Sequence, residues 1–189
     1  MKPLRSLLTI AAATLISASA MATTVIPPTW DQLVGEAQLI FQGTVTDVQS
    51  RWEGEGKNHH IQTYVTFKVD DQIKGKAGNS YTISMLGGTV GEQTMEVSDG
   101  PKFKTGDRDI LFVENNGSQF IPLVGIMHGR FRVQRDSAGN EFIATHDGAP
   151  LTDLTQLGHE EAAAKAVGAP LTLRDFKATL RTTLARSPQ

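Results

Sequence analysis

Not one of the 189 residues is cysteine. That absence excludes disulfides, thiolate nucleophiles and cysteine-held metal centres, and it leaves no residue for lipid attachment after export. Folding must then rest on burial and hydrogen bonding. An excess of positive charge is missing as well: 18 Lys and Arg stand against 20 Asp and Glu, a formal charge of −2. Such a weakly acidic balance argues against nucleic acid as a partner, because phosphate backbones select a basic face. No apolar run is long enough to cross a bilayer: residues 7–16 give about ten, against the roughly 20 that a spanning helix needs. A Gly-x-Ser-x-Gly elbow is also absent, so a hydrolase nucleophile has no visible seat.

What is present begins with an export signal. Lys2 and Arg5 form a basic head, residues 7–16 an apolar middle, and Ser17-Ala18-Ser19-Ala20-Met21-Ala22 a small-residue exit. This is the pattern of a secretory signal peptide over residues 1–22, with cleavage before Thr23 or after the earlier Ala18-Ser19-Ala20. Its removal leaves about 167 residues, enough for one domain with a proper core, and a charge near −4. The expected location is periplasmic or extracellular, with no membrane anchor after cleavage.

The remaining chain reads as mainly β. Thr29 and Gln32 have capping-box spacing, which predicts a short helix to about Ala37 with Trp30, Leu33 and Val34 on one face. Leu39, Phe41, Gly43 and Val45 then alternate, while Val48 and Trp52 continue on the other parity, predicting a bulge near Thr46-Asp47. Ile61, Thr63, Val65, Phe67 and Val69 make the cleanest alternation in the chain. Strands are expected at about 39–52, 61–73, 80–86, 109–114 and 119–135. The unbroken run Ile110-Leu111-Phe112-Val113 fits a strand buried on both faces. A hairpin is expected across Ser137-Ala138-Gly139-Asn140. Residues 23–147 form the expected β-barrel domain, closed or nearly closed, its interior holding Phe41, Val45, Val65, Phe67, Ile83, Ile110 and Phe112. Residues 148–189 form a tail, with a weak alanine-rich helix at 160–167 and an amphipathic one presenting Leu173, Phe176, Leu180 and Leu184 behind a Thr172–Asp175 cap.

Few residues suggest chemistry. His159-Glu160-Glu161-Ala162-Ala163 opens like a zinc-protease helix, but the second imidazole is replaced by Ala163, so the motif is incomplete. His59-His60, near Glu53, Glu55 and Asn58, are the candidate metal ligands; the alternative is a solvated loop entering a strand. Gly87-Gly88-Thr89-Val90-Gly91 is followed by Glu92-Gln93-Thr94-Met95 without a lysine, so it reads as a loop rather than a phosphate cradle. Asp70-Asp71 and Asp107-Arg108-Asp109 read as exposed strand ends, and His128 as a structural histidine.

From Ala37 onward the chain resembles the N-terminal module of tissue inhibitors of metalloproteinases and netrin-like domains, and secreted bacterial proteins of the same pattern. The likeness rests on Ala37-Gln38-Leu39-Ile40-Phe41-Gln42-Gly43-Thr44-Val45, on residues 61–69 with Ile73-Lys74-Gly75, and on Lys104-Thr105-Gly106-Asp107-Arg108-Asp109-Ile110-Leu111-Phe112-Val113. It covers roughly residues 30–133 and implies an oligonucleotide/oligosaccharide-binding (OB) type of barrel. The animal inhibitors chelate zinc through an N-terminal cysteine, which this chain lacks. The resulting expectation is a non-enzymatic, cofactor-free exported module. It would bind a protein partner such as a protease through the loops at 53–60 and 87–105, with Gly87, Gly88, Thr89, Val90 and Gly91 as candidate contacts. The alternative is a metal-dependent protein using His59 and His60.

Overall fold

The strict alternation from Ile61 to Val69 leaves a strand no choice of face: the odd-numbered residues turn inward and the even-numbered ones outward. That strand, β2 (His60–Lys74), is paired along its length with β1 (Leu39–Glu53) and over residues 62–68 with β3 (Ser80–Leu86). The computed structural model describes residues 26–158 and 168–186. The expected signal peptide at 1–22, the incomplete motif at 159–163 and the expected alanine-rich helix at 160–167 lie outside the described residues.

The chain continues through β4 (Gly88–Val90), β5 (Gln93–Met95), β6 (Arg108–Val113), β7 (Arg130–Arg135) and β8 (Glu141–Ala144), with helices α1 (Trp30–Glu36) and α2 (Leu173–Arg186) at either end of the described chain. Six strands form one antiparallel sheet in the order β3-β2-β1-β6-β7-β8, and β4-β5 is a separate hairpin. The fold is mainly β. No helix among the described residues is long and apolar enough to cross a membrane.

The expected bulge is present: Val45 pairs with Phe67 and Asp47 with Thr66, so Thr46 is the extra residue and the strand changes parity there. The capping box of α1 is complete, with Thr29 and Gln32 satisfying each other's backbone N–H groups. The cap of α2 is also present, Asp175 N donating to Thr172 Oγ1 at 3.1 Å.

Both faces of the sheet's centre are buried, which explains the unbroken apolar runs in β1 and β6. On one face Phe41, Val45, Val65, Phe67, Ile83, Leu111 and Val113 pack with Phe103, Ile121 and Leu123. On the other, Ile40, Ile110, Phe112, Phe131 and Ile143 pack beneath Leu33 and Val34 of α1 and Phe176 and Leu180 of α2. Trp30 stands edge-on to Phe176, centroids 5.3 Å apart, and its indole N–H donates to Thr183 Oγ1 at 2.9 Å, linking the two helices.

Three expectations change. Ile110 and Phe112 do not share an interior with Phe41 and Phe67. Strand parity sends them to the helix-covered face, and Leu111 and Val113 take the other. The expected strand over 119–135 is shorter, because β7 begins only at Arg130. Its lead-in is broken by Pro122, which lacks an N–H, and by Gly125 and Ile126, both in the left-handed region at φ +61° and +62°. Ile121, Leu123 and Val124 nevertheless insert into the two cores as loop residues.

The third change is closure. The sheet does not close into a barrel: β3 and β8 are its outer strands. Their edges are covered instead of paired with each other. Leu86 N donates to Phe120 O at 2.6 Å and Ser84 N to Asn116 Oδ1 at 3.1 Å along β3. Ile143 N donates to Leu171 O at 2.9 Å along β8. Covered edges deny foreign strands a template.

Candidate functional site

After β3 the chain reverses over the sheet at Gly87 and Gly88, whose φ values of +95° and +133° require glycine. A Cβ on Gly88 would collide with the hydroxyls of Ser50 and Thr63, so the reversal also depends on close backbone approach. The hairpin β4–β5 and residues 96–103 then cross the first core before Gly106 joins β1, its N–H donating to Val45 O at 2.8 Å. Between this crossing segment and the sheet lies a cleft of about 280 Å³. Val48, Val65 and Met85 of the sheet form its floor, with Val97, Phe103 and Ile121 as apolar walls.

The polar groups in the cleft are few and engaged. Ser50 and Thr63 hydroxyls lie 2.8 Å apart, and Thr63 Oγ1 donates to Gly87 O at 2.5 Å. At the rim Lys102 pairs with Glu96 at 3.0 Å, both side chains well exposed. Of the candidate contacts Gly87, Gly88, Thr89, Val90 and Gly91, the first three line the cleft; Val90 and Gly91 lie at the hairpin turn beyond it.

One buried cluster holds the cleft wall in place. Arg130 donates to both oxygens of Asp109 at 3.1 and 3.0 Å, to Asp107 Oδ2 at 2.8 Å and to Lys102 O at 2.7 Å, and its guanidinium lies 4.0 Å above the Phe103 ring. Asp109 is fully buried, contrary to its reading as an exposed strand end. Burial pushes its carboxyl up to about 6, and the adjacent Arg130 opposes that rise. Asp71 is likewise engaged, paired with Lys177 and Arg181 of α2. His128 is half-buried against His146, ring centroids 5.5 Å apart, and burial lowers the pKa of each.

The two sequence-predicted imidazoles do not converge on a common ligand point. His59 stacks on Trp52 at 4.3 Å, while His60 Nδ1 donates to Asn58 O at 2.6 Å. Among the described residues there is no group of three or more His, Asp or Glu side chains placed to hold a metal ion.

Phe103, Ile121 and the Arg130–Asp109 pair escaped the sequence reading. Phe103, a lone large apolar residue in a polar stretch, was a usable signal that the 92–105 segment is pinned to a core. Arg130 next to buried Phe131 had no such signal, because only the register Asp109 to Arg132 and Leu111 to Arg130 brings it beside Asp109. Comparison with protein-family models, curated proteins and solved structures returned no match.

Proposed function

We propose that the chain is an exported, non-enzymatic binding module whose cleft receives apolar side chains of an extracellular or periplasmic protein, such as a protease. The observation that carries this reading is the cleft itself. It is roofed by the glycine-hinged 87–105 segment, walled by Val97, Phe103 and Ile121, and braced by the Arg130 cluster. Its volume of about 280 Å³ falls below the roughly 300–1,000 Å³ of sites for drug-sized ligands. A space of that size suits one or two side chains anchored from a partner's surface. Glu96 and Lys102 at the rim supply the exposed polar border that surrounds such anchors.

The strand order β3-β2-β1-β6-β7 supports an OB-like ancestry, with the barrel opened beside β3. Export rests on the basic, apolar and small-residue succession of residues 1–22. Secreted material should give an intact mass beginning at Thr23, and a secreted chain retaining Met1 contradicts that part of the account.

The binding role is tested by affinity capture from the native secretome. The unaltered protein should retain one partner, and a protein with Val97→Trp filling the cleft should lose it. Equal capture by both, or capture of nothing, overturns the proposal.

A further inference from the structure

A second pocket, away from the cleft, lies where β6 and β7 part. These strands pair only at Asp109–Arg132, Ile110–Phe131 and Leu111–Arg130, so β7 runs on through Arg135 with β8 as its sole strand partner. The gap beside Arg108 forms a pocket of about 270 Å³ lined by Arg108, Arg132, Gln134, Arg135 and Asp107.

Its charges are unevenly matched. Arg108 and Arg135 share a single acceptor, Oε1 of Glu141. Asp107 gives one oxygen to Arg130 at 2.8 Å, and its other oxygen stands 3.9 Å from Arg132. Among the described residues the Arg132 side chain donates no hydrogen bond; Asp107 stands 3.9 Å away and the buried Asp109 attracts it from further off. Around the pocket four guanidiniums, Arg108, Arg130, Arg132 and Arg135, meet three carboxylates, Asp107, Asp109 and Glu141. The Arg132 side chain is about one-third exposed, open to solvent yet held at a fixed place on a strand.

We propose that this pocket binds an oxyanion, a carboxylate or phosphate group, with Arg132 as its principal ligand and Arg108 and Arg135 as flanking donors. The planar guanidinium presents paired N–H groups whose spacing matches two oxygens of a carboxylate or phosphate, and such charge-assisted pairs are the stronger class of hydrogen bond. A bound oxyanion would supply the missing negative charge and the acceptors that Arg132 lacks. Gln134 adds a neutral amide donor on the same wall. The site depends on neither the cleft nor its partner.

The test is calorimetric titration of the purified protein with inorganic phosphate and, separately, with succinate, at ionic strength fixed by sodium chloride. Saturable binding is expected in at least one titration, and the one that binds names the source chemistry. Arg132→Gln should weaken it about tenfold or more, the loss of one charge-assisted pair. Arg186→Gln removes the same charge from the C-terminal end of α2, outside the pocket lining, and should leave it unchanged. No saturable binding of either ion, or equal affinity in Arg132→Gln, overturns the proposal. If Arg132→Gln fails to fold by circular dichroism, Arg132→Lys decides, since it keeps the charge and loses the fork: several-fold weaker binding supports the site, and unchanged affinity refutes it.

Discussion

Arg130 carries more of this fold than any sequence signal announces. Its guanidinium joins β6, β7 and the cleft wall through Asp109, Asp107, Lys102 O and the Phe103 ring. Removing one member of a buried ion pair strands the other charge, so Arg130→Ala should cost about 3–5 kcal/mol at neutral pH, measured from urea midpoints. Asp109 adds a pH signature. Its folded pKa of about 6 lies above the ordinary 3.8, so between those values the folded protein holds a proton that the unfolded chain has released. The stabilisation contributed by this group is therefore fully present below pH 3.8 and is lost as pH rises through 6. Subtracting the stability profile of Asp109→Asn from that of the unaltered protein should show this decline, and a flat difference contradicts it. At Gly88 the prediction is steric. An added Cβ meets Ser50 and Thr63 in a backbone conformation that L residues rarely adopt, so Gly88→Ala should destabilise by about 1–3 kcal/mol. A thermal melt unchanged by that substitution would show that the hairpin can shift at no cost.

At the scale of elements, each core should be sensitive to its own phenylalanine. Phe67→Ala on the cleft face and Phe176→Ala on the helix face should each cost about 3–5 kcal/mol in denaturant unfolding. A loss within about 0.5 kcal/mol for Phe176→Ala would mean that α2 rests on the surface. Elements with a strong local signal were legible in the sequence: the alternation of β2, the bulge at Thr46, the caps at Thr29 and Thr172 and the hairpin around Gly139 are all in place. What failed depended on long-range pairing. The run from Ile110 to Val113 announces a strand buried on both faces, yet nothing local states which parity meets the helices. The apolar spacing of Ile121 and Leu123 mimics a strand, whereas Pro122 and two left-handed residues turn the segment into an inserted loop. The glycines at 87 and 88 mark a break with positive φ, as the sequence suggests, but Gly88–Val90 pairs as β4 and is not the loop expected there. The walls supplied by Phe103 and Ile121 come from segments that only the fold brings together.

Over the described residues the molecule is a six-stranded sheet and a two-stranded hairpin, with one face covered by helices and the other crossed by the connections at 87–107 and 114–129. Both outer strands are occupied by the chain's own loops. Among the described residues the cleft under residues 87–105 is where the proposed partner would reach an apolar interior without unfolding an edge. Site-directed photo-crosslinking tests this claim most directly. A benzophenone side chain placed at Val97, on the cleft wall, is compared with one at Thr182, exposed on α2. In the native secretome the Val97 derivative should yield an adduct with one protein, and the Thr182 derivative none. An adduct from Thr182 with no adduct from Val97 would contradict the account and move the binding surface to the opposite face of the sheet.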